Sequence, residues 1–258
     1  MYKKKRILVI VQARMESTRL PGKVLLDLAG KPVLQWIIER ISNSKYVDKT
    51  VIAIPKTLQN KDIIMNWRQR IWKDYALIFQ GSMNDVIFRV LNAAYTIKID
   101  KNLPDIIIDI TADCPLVDSY YIDLFIEKLV DNNLDYYSNI VKRTWPDGCD
   151  IQVYTLDALS SVYHKITNEK HKQHTGWNIL QFPNDYKIGN YPAPKIFNYP
   201  EMRITLDTKE DYELLQIIFE EFKNFNNFSI KDVIQFIRVN PNLQKINSNI
   251  KAKIAGEG

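Results

Sequence analysis

An alternation in the first half of the chain constrains its fold most. Short β-branched runs at residues 7–12, 50–54, 76–79 and 105–110 are separated by longer stretches, 33–42, 61–71 and 84–97, whose apolar residues recur at helical spacing. Strands that alternate with helices need crossover connections, which requires a mostly parallel sheet covered by helices on both faces, an α/β class. In such sheets ligands bind beyond the carboxyl ends of the strands, so the segments following Gln12, Phe79 and Ile110 are the places to search.

The middle of the chain changes character. Residues 135–139 and 150–154 read as strands, 156–165 and 173–181 as helices, and a Pro-bearing stretch at 191–200 interrupts the pattern. The expectation is one domain over 1–258, long enough to bury a substantial core, with 135–200 as an insertion that leaves the sheet to shape an acceptor site and a dimer arm. Residues 203–206 read as a returning strand, 209–223 and 230–239 as helices, and the polar tail 241–258 is expected to fray.

Composition narrows the class further. The cysteines, Cys114 and Cys149, have no metal-ligand spacing and fit free thiols in a reducing compartment. The apolar run at 7–11 is too short for a signal peptide or a membrane span, so a soluble, cytoplasmic protein is expected. A net charge of +5 is scattered rather than clustered with stacking aromatics, which argues for a solvated surface and against nucleic acid or membrane as a partner.

Behind the first strand comes Ala13-Arg14-Met15-Glu16-Ser17-Thr18-Arg19-Leu20-Pro21-Gly22-Lys23, with three cations, two hydroxyls and a Pro-Gly turn. Guanidinium and ammonium groups of this kind can hold the phosphates of a nucleotide, although composition alone equally allows a basic surface loop. The spacing matches neither a Walker loop nor a dinucleotide fingerprint. Asp113 follows the 105–110 run, and Pro115 stops that strand, leaving a carboxylate at its end where a magnesium ligand could face phosphates. Asp207 stands before an apolar helix and reads as an N-terminal cap, as does Asp85 before Val86.

Residues 12–40, QARMESTRLPGKVLLDLAGKPVLQWIIER, closely resemble the opening of the cytidylyltransferases that make CMP-activated sugar acids. The spore-coat polysaccharide F family and the 3-deoxy-manno-octulosonate cytidylyltransferases are the nearest of these. Gly81-Ser82-x-x-Asp85-Val86, Thr111-Ala112-Asp113-Cys114-Pro115-Leu116-Val117-Asp118, Pro146-Asp147-Gly148-x-Asp150 and Arg203-x-Thr205-Leu206-Asp207-Thr208-x-x-Asp211-Tyr212 follow in the family's order. The resemblance implies a three-layer α/β/α, nucleotide-diphospho-sugar transferase-like (Rossmann-like) fold. It implies that Arg14 and Lys23 are catalytic, gripping the triphosphate with Ala13, Ser17 and Arg19. Gly81, Ser82 and Asp85 would lie at the nucleoside, with capping still open for Asp85. Asp113 and Asp207 would together hold Mg2+, against the capping alternative for Asp207.

The acceptor side departs from the family pattern. Where the spore-coat family usually carries Arg, Glu and Glu, this chain has Asp109, Gln152 and Gln173, the last followed by His174-Thr175-Gly176. The resemblance assigns Asp109, Asp147, Asp150, Gln152, Gln173 and His174 to the acceptor, with a structural role equally open for His174. The departures point to an acceptor different from the common one. The implied reaction is transfer of CMP from CTP to a small sugar-acid-like molecule with release of pyrophosphate, for surface polysaccharide or glycoconjugate synthesis, by a homodimer. CMP transfer to a phosphate or phosphonate oxygen is the alternative. A glycosyltransferase of this fold fits less well, because Asp113-Cys114-Pro115 offers one carboxylate where Asp-x-Asp is needed.

Overall fold

The structure, a computed structural model, describes residues 1–69, 71–225 and 227–251. In chain order its strands are β1 (Ile7–Gln12), a short hairpin of β2 (Asp27–Leu28) and β3 (Lys31–Pro32), β4 (Lys49–Pro55), β5 (Leu77–Gly81), β6 (Ile106–Thr111), β7 (Tyr136–Ser138), β8 (Gln152–Thr155) and β9 (Ile188–Asn190). The helices are α1 (Val33–Ser42), α2 (Lys61–Gln69), α3 (Val86–Thr96), α4 (Ser119–Asp131), α5 (Leu156–Tyr163), α6 (Gly176–Leu180), α7 (Lys209–Phe222) and α8 (Ile230–Val239).

A seven-stranded sheet runs β5-β4-β1-β6-β8-β7-β9. The pairs joining β5, β4, β1 and β6 are parallel, and β8 runs antiparallel to β6 and β7. Strand side chains alternate between the two faces, and the core divides accordingly. Ile7, Val9 and Val11 pack with residues of α1, α4, α7 and α8, whereas Leu8 and Ile10 pack with residues of α3 and α5. This is the three-layer arrangement expected from the alternation. Ile10 is fully buried, and its replacement by Ala would cost about 2–5 kcal/mol. Among the described residues no helix is long and apolar enough to cross a membrane.

Three expectations need correction. The segment after residue 135 does not leave the sheet: β7, β8 and β9 extend it, because Tyr136, Val153 and Tyr154 are fully buried and need both layers to cover them. Residues 203–206 do not form a strand. Arg203 makes an isolated parallel bridge with Asp147, after which Leu206 N donates to Asp113 O at 2.8 Å, so the segment crosses the strand ends instead of joining an edge. The tail is docked over its described part, since Asn247 is only 4% exposed and donates to Arg203 O and Asp211 Oδ1. Residues 252–258, also expected to fray, lie outside the described residues. Helix α4, capped by Asp118 through Tyr120 N at 2.9 Å, was not anticipated.

Candidate active site

The loop after β1 is held by its one acid. Glu16 accepts from the Thr57 hydroxyl at 2.5 Å and from the Asn60 amide at 2.9 and 3.0 Å, while Met15 N donates to Asn60 Oδ1 at 3.0 Å. Against the effect of burial, these donors keep the Glu16 carboxyl below its ordinary pKa. Gly22 closes the loop in the left-handed region at φ +71°, its N–H donating to Met15 O at 2.9 Å. With Glu16 turned to this fastening, the loop's cations are left to face a cavity of about 310 Å³.

Ala13, Arg14, Ser17, Thr18, Arg19 and Lys23 line that cavity from the loop, and Thr111, Ala112 and Asp113 line it from the end of β6. Asp207, Gln12, Val86, Arg89 and Gln173 complete it. Residues 90 and 184 positions apart from Lys23 therefore meet it at one wall. Lys23 Nζ donates to Asp113 Oδ2 at 3.0 Å, Asp207 Oδ1 at 2.8 Å and Leu206 O at 2.8 Å. Burial opposes the ammonium charge, but Asp113 and Asp207 more than offset it and raise the Lys23 pKa. Arg14 is exposed on the same wall and makes no ion pair with a described residue, which leaves its guanidinium free for an anion.

Asp207 is not the helix cap. Thr208 caps α7 in a reciprocal box with Asp211, and Asp207 is turned to the cavity. Its carboxylate meets Lys23, Arg19 at 2.7 Å and Arg203 at 3.0 Å. Burial would raise its pKa, yet Lys23, Arg19 and Arg203 hold it at about 2. Arg203 is the hub behind this wall. It donates to fully buried Asp211 through Nε at 2.8 Å and Nη2 at 2.9 Å, and to Asp147 through Nη1 at 2.6 Å. Gly148 belongs to the same packing: at φ +107°, a Cβ there would lie 2.6 Å from the backbone of Ile204.

The donor set suits magnesium, for which Asp113 and Asp207 offer two hard carboxylates already held together by one ammonium. Among the described residues there is no group of three or more metal-ligating side chains, so any further ligands would be water and phosphate oxygens.

Of the remaining residues singled out in the sequence, all but Gln173 are placed elsewhere. Asp85 caps α3 through Phe88 N at 2.9 Å and accepts from the Tyr163 hydroxyl at 3.0 Å, and Ser82 Oγ accepts from Asp85 N. Gly81 lies under Arg89, whose Cγ would be 2.8 Å from an added Cβ. Asp109 is 2% exposed below the cavity wall, where it accepts from Gln12 Nε2 at 2.6 Å, Tyr154 at 3.1 Å and Thr175. Burial raises its pKa, opposed by those three donors. Gln152, its register partner on β8, accepts from the Tyr136 hydroxyl at 3.0 Å. Asp150 pairs with Arg143 at 2.7 Å, and burial together with Asp150 pushes Asp147 up to about 6 against Arg143 and Arg203. His174 packs against Trp177, its pKa lowered by burial. Of the six acceptor candidates, Gln173 reaches the cavity.

Arg203 and Arg89 carried no role in the sequence reading. The spacing Arg203-x-x-x-Asp207-x-x-x-Asp211 was a usable signal for the first. An arginine within an apolar helix gave none for the second, since such a residue ordinarily extends its charge to solvent.

Residues 8–238 match the family model described as cytidylyltransferase, and the chain belongs to that family. The spore coat polysaccharide biosynthesis protein SpsF of Bacillus subtilis is 29% identical over 238 residues, covering 91% of this chain and 95% of that protein. A 3-deoxy-manno-octulosonate cytidylyltransferase of Francisella philomiragia is 27% identical over 229 residues, covering 83% of this chain and 86% of that one. The solved structure of a cytidylyltransferase from Leptospira borgpetersenii superposes with a TM-score of 0.82 at 30% identity, covering 97% of this chain and all of that chain. The chain is thus a cytidylyltransferase, an enzyme that transfers CMP from CTP.

Proposed function

We propose that this cytidylyltransferase joins CMP to a hydroxyl of a small sugar-acid-like acceptor, with magnesium held at Asp113 and Asp207, in the synthesis of a surface polysaccharide or glycoconjugate. The observation that carries the reading is the single wall where Lys23 bridges Asp113 and Asp207 beside Arg14 and Arg19. The names of the spore-coat and octulosonate relatives support the acceptor class.

The acceptor hydroxyl loses its proton to solvent and its oxygen forms a bond to the α-phosphorus as the bond from that phosphorus to the bridging oxygen of pyrophosphate breaks. Arg14 and Arg19 neutralise charge that builds on the leaving pyrophosphate, bidentately where their planar forks allow. Lys23, freed from its aspartates when phosphates enter, supplies a point charge to the same oxygens. Arg203 keeps Asp207 aimed at the cavity throughout. Asp113 and Asp207 would hold the magnesium ion, which would supply Lewis-acid activation of the attacking hydroxyl.

Labelled CTP offered with a panel of sugar acids and of phosphorylated or phosphonate metabolites tests this reading. A CMP ester of a sugar-acid hydroxyl, formed only with magnesium and abolished by chelation, is expected. A CDP-linked product from a phosphate acceptor, or turnover undiminished by chelator, overturns it.

A further inference from the structure

Arg89 stands out among the cavity residues because its charge is buried without a partner. It is 3% exposed, lies on α3 and lines the cavity. Among the described residues its one hydrogen bond runs from Nη1 to Ser82 O at 2.6 Å, it has no ion pair, and its Nε is fully buried with no acceptor. Burial, with help from nearby Arg14, pulls its pKa down to about 10 against the carboxylates of Asp109, Glu16 and Asp85. A guanidinium donates along two edges, and the edge formed by Nε and Nη2 is the one left over. Leaving such an edge unmet in the interior is costly, so it is suited to a ligand that accepts two hydrogen bonds side by side.

A second group on the cavity wall has a fixed polarity. Gln12 Nε2 donates to Asp109 at 2.6 Å, and a buried carboxylate that already draws Tyr154 and Thr175 leaves no doubt which end of the amide faces it. The Gln12 carbonyl oxygen is therefore directed away from Asp109, as an acceptor. The wall so presents a pair of donors and an acceptor. Cytosine carries the complementary set on one edge: O2 and N3 accept and the 4-amino group donates. Uracil has an N–H at position 3 and a carbonyl at position 4, so it would oppose donor to donor and acceptor to acceptor.

We propose that Arg89 and Gln12 read the base of the nucleotide, Arg89 through O2 and N3 and Gln12 through the 4-amino group, with Asp109 as the residue that orients Gln12. The inference rests on the use of CTP and names the groups that select it. Asp109 then acts through Gln12 without touching the substrate. A phosphate is a poorer occupant of the Arg89 edge, because Arg14, Arg19 and Lys23 already gather at the loop wall.

The test compares binding of CTP, UTP and inorganic tripolyphosphate, each with magnesium, to the full chain and to Arg89→Lys, Arg89→Met and Gln12→Met. Lysine keeps the charge but not the planar fork. Each variant is expected to weaken CTP about tenfold or more, in the range of a lost bidentate base contact, while UTP and tripolyphosphate change by less than about threefold. Tripolyphosphate binding at the level of the unaltered chain also certifies that a variant is folded; where Arg89→Met fails this check, Arg89→Lys and Gln12→Met decide. Equal weakening of CTP and UTP, or unchanged CTP binding with a raised KM for the acceptor, overturns the proposal. An unaltered chain that binds UTP as tightly as CTP would instead remove the premise, an outcome visible before any variant is made.

Discussion

The loop wall and the acceptor-side residues were marked by equally plain motifs, yet the fold treats them differently. Arg14, Ser17, Arg19, Lys23, Asp113 and Asp207 all converge on one cavity. Asp109, Asp147, Asp150 and Gln152 instead satisfy one another's neighbours: Gln12, Arg203, Arg143 and Tyr136. Side chains that line one cavity share its surface, so their motifs map directly onto it. A buried carboxylate must be hydrogen-bonded or paired, and its motif maps onto a network.

That contrast can be broken most sharply at Arg203, which touches both sides. Arg203→Met leaves fully buried Asp211 without its cation and is expected to lower the unfolding free energy by about 3–5 kcal/mol, read by denaturant melts. Stability close to the unaltered protein would show the network to be less integral than its geometry implies. On the loop wall, Lys23→Ala and Asp113→Asn should each lower kcat by about a hundredfold or more with little loss of fold. Near-normal turnover would remove them from the chemistry.

A smaller effect concerns pH. Asp207 is depressed to about 2 in the fold, below its ordinary 3.8, so its ionised form stabilises the native state above about pH 4 and that stabilisation is lost as pH falls toward 2. The loss, on the order of 2 kcal/mol, should be missing from the acid branch of the Asp207→Asn stability profile. Superimposable acid branches would mean that Asp207 keeps no such partners in solution. The smallest expected change is at Gln173, exposed at the cavity rim: Gln173→Ala should raise the acceptor KM by about threefold with CTP binding unaltered, as for loss of one exposed hydrogen bond. A change in CTP affinity would move Gln173 to the nucleotide side.

Much of the scaffold was legible because single segments announced themselves. Residues 7–12, 33–42 and 230–239 were placed with the bounds they have in the fold, since each combines an unbroken apolar pattern with a clear start or stop. Helix α4 carries an equally usable Asp118 cap, directly behind the Asp113 motif. The stretch 203–206 misled because Ile204 and Leu206, both fully buried, alternate with polar residues as a strand would, while their backbone bonds run to Asp147 in the loop between β7 and β8 and to Asp113 just beyond β6. The wall formed by Lys23, Asp113 and Asp207 was legible through family resemblance. Arg89 was not, because nothing local tells a buried, unpaired guanidinium from one that reaches water.

The Lys23 ammonium ties together groups up to 184 positions apart, the farthest of them in the segment that crosses the strand ends. During synthesis from the amino terminus, β1, its loop and the parallel strands β4, β5 and β6 emerge well before that segment leaves the ribosome. Until then Lys23 and Asp113 await Asp207, and the face of the sheet carrying Ile7, Val9 and Val11 awaits α7 and α8. A chain ending before residue 203 would lack both the Asp207 carboxylate and the helices α7 and α8 that cover one face of the sheet, so the last quarter of the chain closes the core and the cavity wall together.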